Sequence, residues 1–285
     1  MTGASAPPAR LRVVTWNIRA AIGPGEPFPP AWWRHVRADR LERIAALIGT
    51  LNADVVTLQE VTIMNVAGAV TDQPAELGRL TGMQVRYAAV HSFPLIEPET
   101  GAAIGSAMWG NAILTREVLA DGFALALPRA ADDDLVEPVG ADHPLAGARY
   151  ADVEPGHREA RCAVGGRLGA VTVATTHLTY MGRQQRRSQV EALAGLVSGT
   201  EGPAIVTGDF NAPVEAAEMA SLGAVVDDAL AAVGVPAGDA RRRSCGEQAI
   251  DHIYVRGLAV EACRVADETA DASDHWPVVA DLATR

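Results

Sequence analysis

Apolar strand-like runs that outnumber helical ones, helices that come singly between groups of strands, and the absence of any internal repeat predict a layered α/β or α+β sandwich. The same pattern argues against a bundle, a barrel or a repeat array. In chain order, Leu11–Ile18 reads as a buried strand centred on Val13 and Val14. Arg40–Leu51 spaces Leu41, Ile44, Leu47, Ile48 and Leu51 along one helical face. Asp54–Leu58 is a second β-branched run, and a short helix near Ala75–Leu80 leads into strands around Gln84–Val90 and Asn111–Leu114. Arg161–Arg167 and Ala170–His177 flank Leu168-Gly169 as a hairpin. Gln185–Val197 carries Val190, Leu193, Leu196 and Val197 on one face, with Gly199 as its stop. Three further strands are expected at Ala204–Thr207, Ile250–Val255 and Pro277–Leu282.

A chain of 285 residues is close to the upper limit for one hydrophobic core, so residues 11–285 are read as one large domain behind a small, Pro-rich, flexible leader, residues 1–10. Apolar residues make up 48% of the chain and mean hydropathy is +0.08, enough for a substantial core and far from a disordered composition. Pro128 to Gly156 is rich in Asp, Glu, Pro, Gly and Ala and has little periodicity; it reads as a long irregular insertion of the kind that is usually functional or mobile.

Net charge is −11, which disfavours the broad positive surface that holds nucleic acid by counterion release. Clustered carboxylates suit a metal site instead, where the cation relieves their repulsion. Cys162, Cys245 and Cys263 are widely spaced and form no CxxC pair, so neither a zinc knuckle nor a disulfide framework is expected, and the thiols read as buried or idle. No stretch approaches the roughly 18 uninterrupted apolar residues of a membrane span. A cytoplasmic protein is the resulting expectation.

Polar residues close the apolar runs. Asn17 closes LRVVTWN, Glu60 closes ADVVTLQE and His177 closes VTVATTH. Asp209 and Asn211 follow AIVTG, Asp251 and His252 lie in AIDHIYV, and Asp274-His275 precede WPVVADL. Loops at strand ends, placed by a rigid sheet, are where catalytic groups sit most often. Glu60 with Asn17 supplies hard oxygen ligands, which suit Mg²⁺ or Mn²⁺ better than zinc. Asp209 and Asn211, two apart on a turn, can aim a carboxylate and an amide at one substrate atom. A histidine needs a partner that fixes its tautomer, and Asp251 and Asp274 are both available to His177 or His275. Carboxylate, metal, histidine and amide together make a toolkit for phosphoryl transfer.

The segments TWNI, LQE, GNAIL, THL, GDFN, DHIYV and SDH, in this order from about Arg12 to Leu282, resemble the endonuclease/exonuclease/phosphatase superfamily. Its members include DNase I-like nucleases, abasic-site endonucleases, inositol phosphatases and sphingomyelinases. The resemblance implies an α+β fold, a four-layered αββα sandwich. It implies that Asn17, Glu60 and Asp274 lie on the metal side, with Glu60 the principal ligand of Mg²⁺ or Mn²⁺. His177 would bind the scissile phosphate, Asp209 would activate or orient the attacking water, and Asn211 would hold the phosphate or Asp209. Asp251 would orient His275. Asn111 in GNAIL and Arg161 in REARCAV would support the site from behind or from its edge.

Other residues have plainer readings. His91, His143 and His157, in or near loops, read as solvated or incidental, Asp132–Asp134 as a solvated acidic run, and Arg241–Arg243 as a surface run that meets a substrate phosphate only as a lesser alternative. Trp32 and Trp33 read as packing of the Pro-rich loop, and Trp16 and Trp276 as packing supports. Ser273-Asp274-His275 is no serine-protease triad, since consecutive residues cannot form that relay. The expected activity is metal-dependent hydrolysis of a small-molecule or headgroup phosphomonoester or phosphodiester. A nuclease acting on DNA or RNA, and a non-catalytic protein-binding module on the same fold, are the alternatives; no protein partner is indicated.

Overall fold

The computed structural model describes residues 10–26, 31–138, 144–152, 160–269 and 271–284. Its strands are β1 (Arg10–Asn17), β2 (Val55–Val66), β3 (Ala69–Asp72), β4 (Gln84–Ile96), β5 (Ala103–Thr115), β6 (Ala120–Ala126), β7 (Cys162–Leu168), β8 (Val171–His177), β9 (Ala204–Asp209), β10 (Asp227–Asp228), β11 (Asp251–Arg256), β12 (Leu258–Val265) and β13 (Val278–Thr284). The helices are α1 (Ala38–Leu51), α2 (Gln73–Thr81), α3 (Arg183–Ser198), α4 (Ala220–Gly223) and α5 (Ala229–Ala232). One sheet runs β12-β13-β1-β2-β5-β4, with β3 added to β2, and the other runs β10-β11-β9-β8-β7-β6.

Alternation along each strand builds the layers. Val13 packs between the sheets with Val55, Ile113, Val173, Ile205 and Ile253. Its neighbour Val14, with Trp16, Val56 and Leu58, packs outward against Leu41, Ile44, Leu47 and Ile48 of α1. On the opposite outer face, Val206 and Tyr254 meet Val190, Leu193 and Val197 of α3. The result is the expected α+β sandwich, helices outside two stacked sheets. Each fully buried Leu or Ile on the α1 face contributes about 1.5–3 kcal/mol of transfer free energy before its entropy cost.

Topology explains why polar ends converge. β1 pairs parallel with β2, and β8 pairs parallel with β9, so Asn17 stands beside Gln59 and His177 beside Asp209. β11 runs antiparallel to β9, so its first residue, Asp251, registers with Asp209. β13 runs antiparallel to β1, which delivers Asp274 and His275, just before its start, to the same edge. Beneath that edge a buried polar layer joins the sheets: Gln59 Nε2 donates to Thr175 Oγ1 at 2.9 Å, and Thr207 Oγ1 to Thr57 Oγ1 at 2.8 Å.

Several expectations need correction. Arg10 is the first residue of β1 rather than the last of a leader. β2, β4 and β5 run well past the expected strands, so Glu60 and Asn111 lie inside strands, not at their ends. Glu60 reaches the site because a bulge between Leu58 and Val61 interrupts the pairing with β5 and puts Glu60 at φ 57°. Strands β3, β6, β10 and β12 and helices α4 and α5 add elements absent from the sequence reading. The β7–β8 turn sits at Gly169-Ala170, one residue later than expected. Gly199 does end α3, but in a right-handed conformation, φ −79°. His91, expected in or near a loop, lies half-buried in β4 with its ring 5.4 Å from Phe93. Arg242 is 1% exposed and donates to Asp228 at 2.8 Å and Val235 O at 2.8 Å, whereas Arg241 is exposed as expected. Trp16, Trp32 and Trp33 are buried, in keeping with packing roles. Part of the 128–156 insertion, together with His143 and His157, lies outside the described residues.

Gly208, between Thr207 and Asp209, has φ +144°, and a Cβ there would come within 2.0 Å of Thr176 O on β8. Both the backbone conformation and the close strand approach therefore require glycine. Gly208→Ala is expected to cost about 3 kcal/mol or more of stability by urea unfolding. An unchanged midpoint would show that the strands separate here without penalty.

Candidate active site

Asp209 is the hub. The carboxylate is 2% exposed, and its Oδ1 accepts the Asn211 N–H at 2.9 Å, fixing the turn that leaves β9. Asp209 Oδ2 accepts Asn17 Nδ2 at 3.0 Å and lies 3.4 Å from His177 Nε2 and 3.8 Å from His275 Nε2. The same Asn17 amide donates to Glu60 Oε1 at 3.0 Å, and His177 Nδ1 stands 3.9 Å from Glu60 Oε1. Residues separated by up to 258 positions, Asn17 to His275, thus face one small volume.

The two histidines are held in different ways. His275 Nδ1 donates to Asp251 Oδ2 at 2.8 Å, so Asp251 is the orienting carboxylate for this ring. Burial alone would lower the His275 pKa, but Asp251, the Cys245 sulfur and Asp209 hold it well above the usual histidine value. Trp16 Nε1 donates to His275 O at 2.9 Å and Ser273 Oγ to Asn17 O at 2.8 Å, which tie the 273–275 segment to β1. His177 has no carboxylate in that role. Asn211 Nδ2 donates to Leu178 O at 2.9 Å and faces His177 Nε2 at 3.1 Å, so Nε2 accepts and Nδ1 carries the ring proton. Burial, then Arg161, His275 and His91, push the His177 pKa well below its ordinary value and keep the ring neutral.

The carboxylates show the opposite stress. Burial, aided by Asp274 and Asp209, pushes Glu60 up to about 7, and burial, aided by Asp251, pushes Asp209 up to about 6. Asp251 Oδ1 is buried without a hydrogen-bond partner. Crowded, desolvated carboxylates of hard oxygen character are what a divalent cation relieves, and the donor set fits Mg²⁺ or Mn²⁺. Among the described residues, Asp209, Asp251 and His275 also offer ligand atoms within 4.8 Å of one another. From the sequence, the residues of that group are expected to be catalytic rather than metal-binding.

The fold brings all the sequence-derived residues to or behind this edge, with differences in detail. Asp274 pairs with Arg19 Nε at 3.2 Å, not with a histidine. Asn111 donates to Cys162 O at 3.2 Å and supports the join between sheets from behind. Arg161 is 6% exposed and acts electrostatically on His177. Arg19, which directly follows TWNI, is not among the residues expected from the sequence, and Cys245, expected to be buried or idle, touches His275. Of the eight non-glycine residues with positive φ among the described residues, five (Arg19, Ala20, Ala21, Glu60 and Asn211) belong to this region, so strain is concentrated where side chains are aimed.

Residues 14–275 match the family model described as Endonuclease/Exonuclease/phosphatase family. A curated relative, a UPF0294 protein of Vibrio cholerae, is 30% identical over 148 residues, 48% of this chain and 50% of its own. The chain therefore spans about half the length of the curated relatives it matches. An endonuclease/exonuclease/phosphatase from Beutenbergia cavernae superposes with a TM-score of 0.63 at 22% identity, covering 97% of this chain and 72% of that one. The human Nocturnin catalytic domain, solved with a bound sulfate anion, gives a TM-score of 0.62 at 20% identity, covering 97% and 95%. At these identities the structures attest the fold, the layered sandwich described above.

Proposed function

The chain belongs to the endonuclease/exonuclease/phosphatase family, and from that premise we propose that it is a divalent-metal-dependent hydrolase of a small-molecule or headgroup phosphomonoester or phosphodiester. The observation that carries the chemistry is the convergence of Asn17, His177 and His275 on the buried Asp209 carboxylate, at 3.0, 3.4 and 3.8 Å. Glu60, Asn17 and Asp274 would hold Mg²⁺ or Mn²⁺. When bound, the cation supplies positive charge that stabilises the phosphoryl oxygens.

The residues then have distinct tasks. Asp209, as carboxylate, accepts a proton from the water that attacks phosphorus in line with the departing ester oxygen. His275, kept protonated by Asp251, donates to a phosphoryl oxygen. His177, neutral, donates from Nδ1 to the same group, and Asn211 fixes its tautomer. Asn17 holds Glu60 and Asp209 at a set spacing.

The small-substrate reading rests on the partly described insertion. Glu137 N donates to Met181 O at 2.7 Å, and Val136 and Tyr150 pack on Met181, so the insertion walls the loop that leaves His177. That wall exposes Asp132, Asp133, Glu137 and Asp152, against Arg129 and Arg149. An acidic wall repels a polyanion and leaves room for a compact ester. The free thiols Cys162, Cys245 and Cys263 suit the reducing cytoplasm that the proposal assumes.

The test is phosphate or alcohol release from a panel of sugar, inositol and nucleoside phosphates, bis-p-nitrophenyl phosphate, single-stranded and duplex DNA, and RNA, in Mg²⁺, Mn²⁺ or EDTA. The expected result is cation-dependent turnover of a small ester at a kcat/KM at least about tenfold above any nucleic acid, a margin of roughly 1.4 kcal/mol. Faster cleavage of DNA or RNA would replace this reading with a nuclease.

A further inference from the structure

Asn17 and Glu60 face each other from two strained pieces of backbone. Arg19, Ala20 and Ala21 form a left-handed turn, φ 48°, 51° and 58°, and Glu60 sits at φ 57° in the β2 bulge. Left-handed conformations cost an L-residue about 1–2 kcal/mol each, so something must hold both segments. One side chain touches both. Gln73, at the start of α2 and 0% exposed, accepts the Thr62 N–H on Oε1 at 2.9 Å and donates from Nε2 to Ala20 O at 2.6 Å. Thr62 lies just past the bulge, and Ala20 lies in the turn whose first amide, Arg19 N, donates to Asn17 Oδ1 at 3.0 Å. Arg19 in turn carries Asp274 at 3.2 Å. Gln73, Thr62 and Ala20 are all 0% exposed, so no solvent reaches the bridge.

The second sheet has a counterpart. Gln189 of α3, also 0% exposed, accepts the Thr179 N–H at 3.0 Å and donates to Pro128 O at 3.0 Å. Thr179 lies two residues past His177. Each outer helix layer therefore sends one buried glutamine to fasten backbone leaving a site strand, one on the side of Glu60 and one on the side of His177.

We propose that Gln73 is a positioning residue for the cation-side groups Asn17, Glu60 and Asp274, and that Gln189 does the same for His177 without touching the cation side. The inference rests on the proposed cation site. Losing the Gln73 bridge frees the left-handed turn and the bulge to relax, and the oxygen donors lose their set spacing. The Gln189 bridge holds Thr179, two residues past His177, so its loss falls on turnover.

The experiment is calorimetric titration of the full chain with Mn²⁺ alone, with kcat and KM of the best small ester measured alongside. Gln73→Met is expected to weaken Mn²⁺ binding about tenfold or more, the usual effect of removing an outer support of a ligand. Gln189→Met is expected to keep Mn²⁺ affinity within about twofold of wild type and to lower kcat instead. Should Gln73→Met fail to fold, Gln73→Glu keeps the acceptor for Thr62 and gives up the amide donor to Ala20, and is expected to weaken Mn²⁺ in the same direction. Wild-type affinity in a folded Gln73 variant, or equal loss in the Gln73 and Gln189 variants, overturns the inference and leaves the proposed function standing. A wild type that binds no Mn²⁺ overturns both.

Discussion

Asp209→Asn is expected to lower kcat by about 10³-fold or more while leaving the fold intact, the range for loss of a positioned general base. The substitution keeps the size of the side chain and an oxygen for the Asn211 N–H, but it puts an amide against the Asn17 amide that now donates to Asp209 at 3.0 Å. It also removes a buried charge whose pKa stands at about 6, raised by burial and by Asp251. Relieving that desolvation offsets the lost hydrogen bond, so the thermal midpoint of the cation-free protein is expected to stay at or above that of wild type. Lower activity with equal or higher stability separates a catalytic role from a structural one. Parallel loss of both would make Asp209 a structural carboxylate. With Asp209 and His275 proposed to act on one reaction centre, Asp209→Asn combined with His275→Ala is expected to cost little more than the worse single variant.

The second large effect concerns the cation. In EDTA, Glu60 and Asp209 hold protons more tightly in the folded chain, with pKa values of about 7 and about 6, than as ordinary carboxylates in the unfolded chain. They therefore contribute stability at acidic pH that is lost as pH rises through about 6 and then about 7. A divalent cation competes with those protons, so its affinity rises across the same window. Mg²⁺ is expected to raise the melting temperature more at pH 8 than at pH 5.5, and at 100 times its dissociation constant to add about 2.7 kcal/mol. In Glu60→Gln the part of the pH dependence near 7 and most of the cation effect should go, leaving the Asp209 part near 6. A shift of equal size at both pH values would mean that the ion binds elsewhere.

Much of this site is legible in the chain because its residues lie in short motifs at the ends of apolar runs. Asn17, His177, Asp209, Asp251 and His275 sit at or next to strand termini, and pairing direction alone brings those termini together. Glu60 was found by the same rule for a different reason: it sits inside a strand, and the bulge that turns it inward has no Gly or Pro to announce it. Strand β3 is exposed throughout and carries no apolar alternation, β6 alternates only over its short Phe123–Ala126 end, and helices of four residues are too short to show a period. Gln73 did have a local signal. Asp72 caps α2 by accepting the Ala75 N–H at 2.9 Å and Pro74 follows at its start, so Asp-Gln-Pro marks a helix N-terminus with a glutamine pointing back into the fold. Arg19 had none, since its significance depends on Asp274, 255 positions away.

Under the proposed function, Asp209 and its cation-side neighbours form one hydrolytic site. Its most direct test is the rate of p-nitrophenol release from bis-p-nitrophenyl phosphate against Mn²⁺ concentration, for wild type, Glu60→Gln and Asp209→Asn. Saturable activation of the wild type by Mn²⁺, no rate in EDTA, and a loss of about 10³-fold in Asp209→Asn at saturating Mn²⁺ are expected. Turnover that persists in EDTA, or that survives Asp209→Asn, would contradict that function.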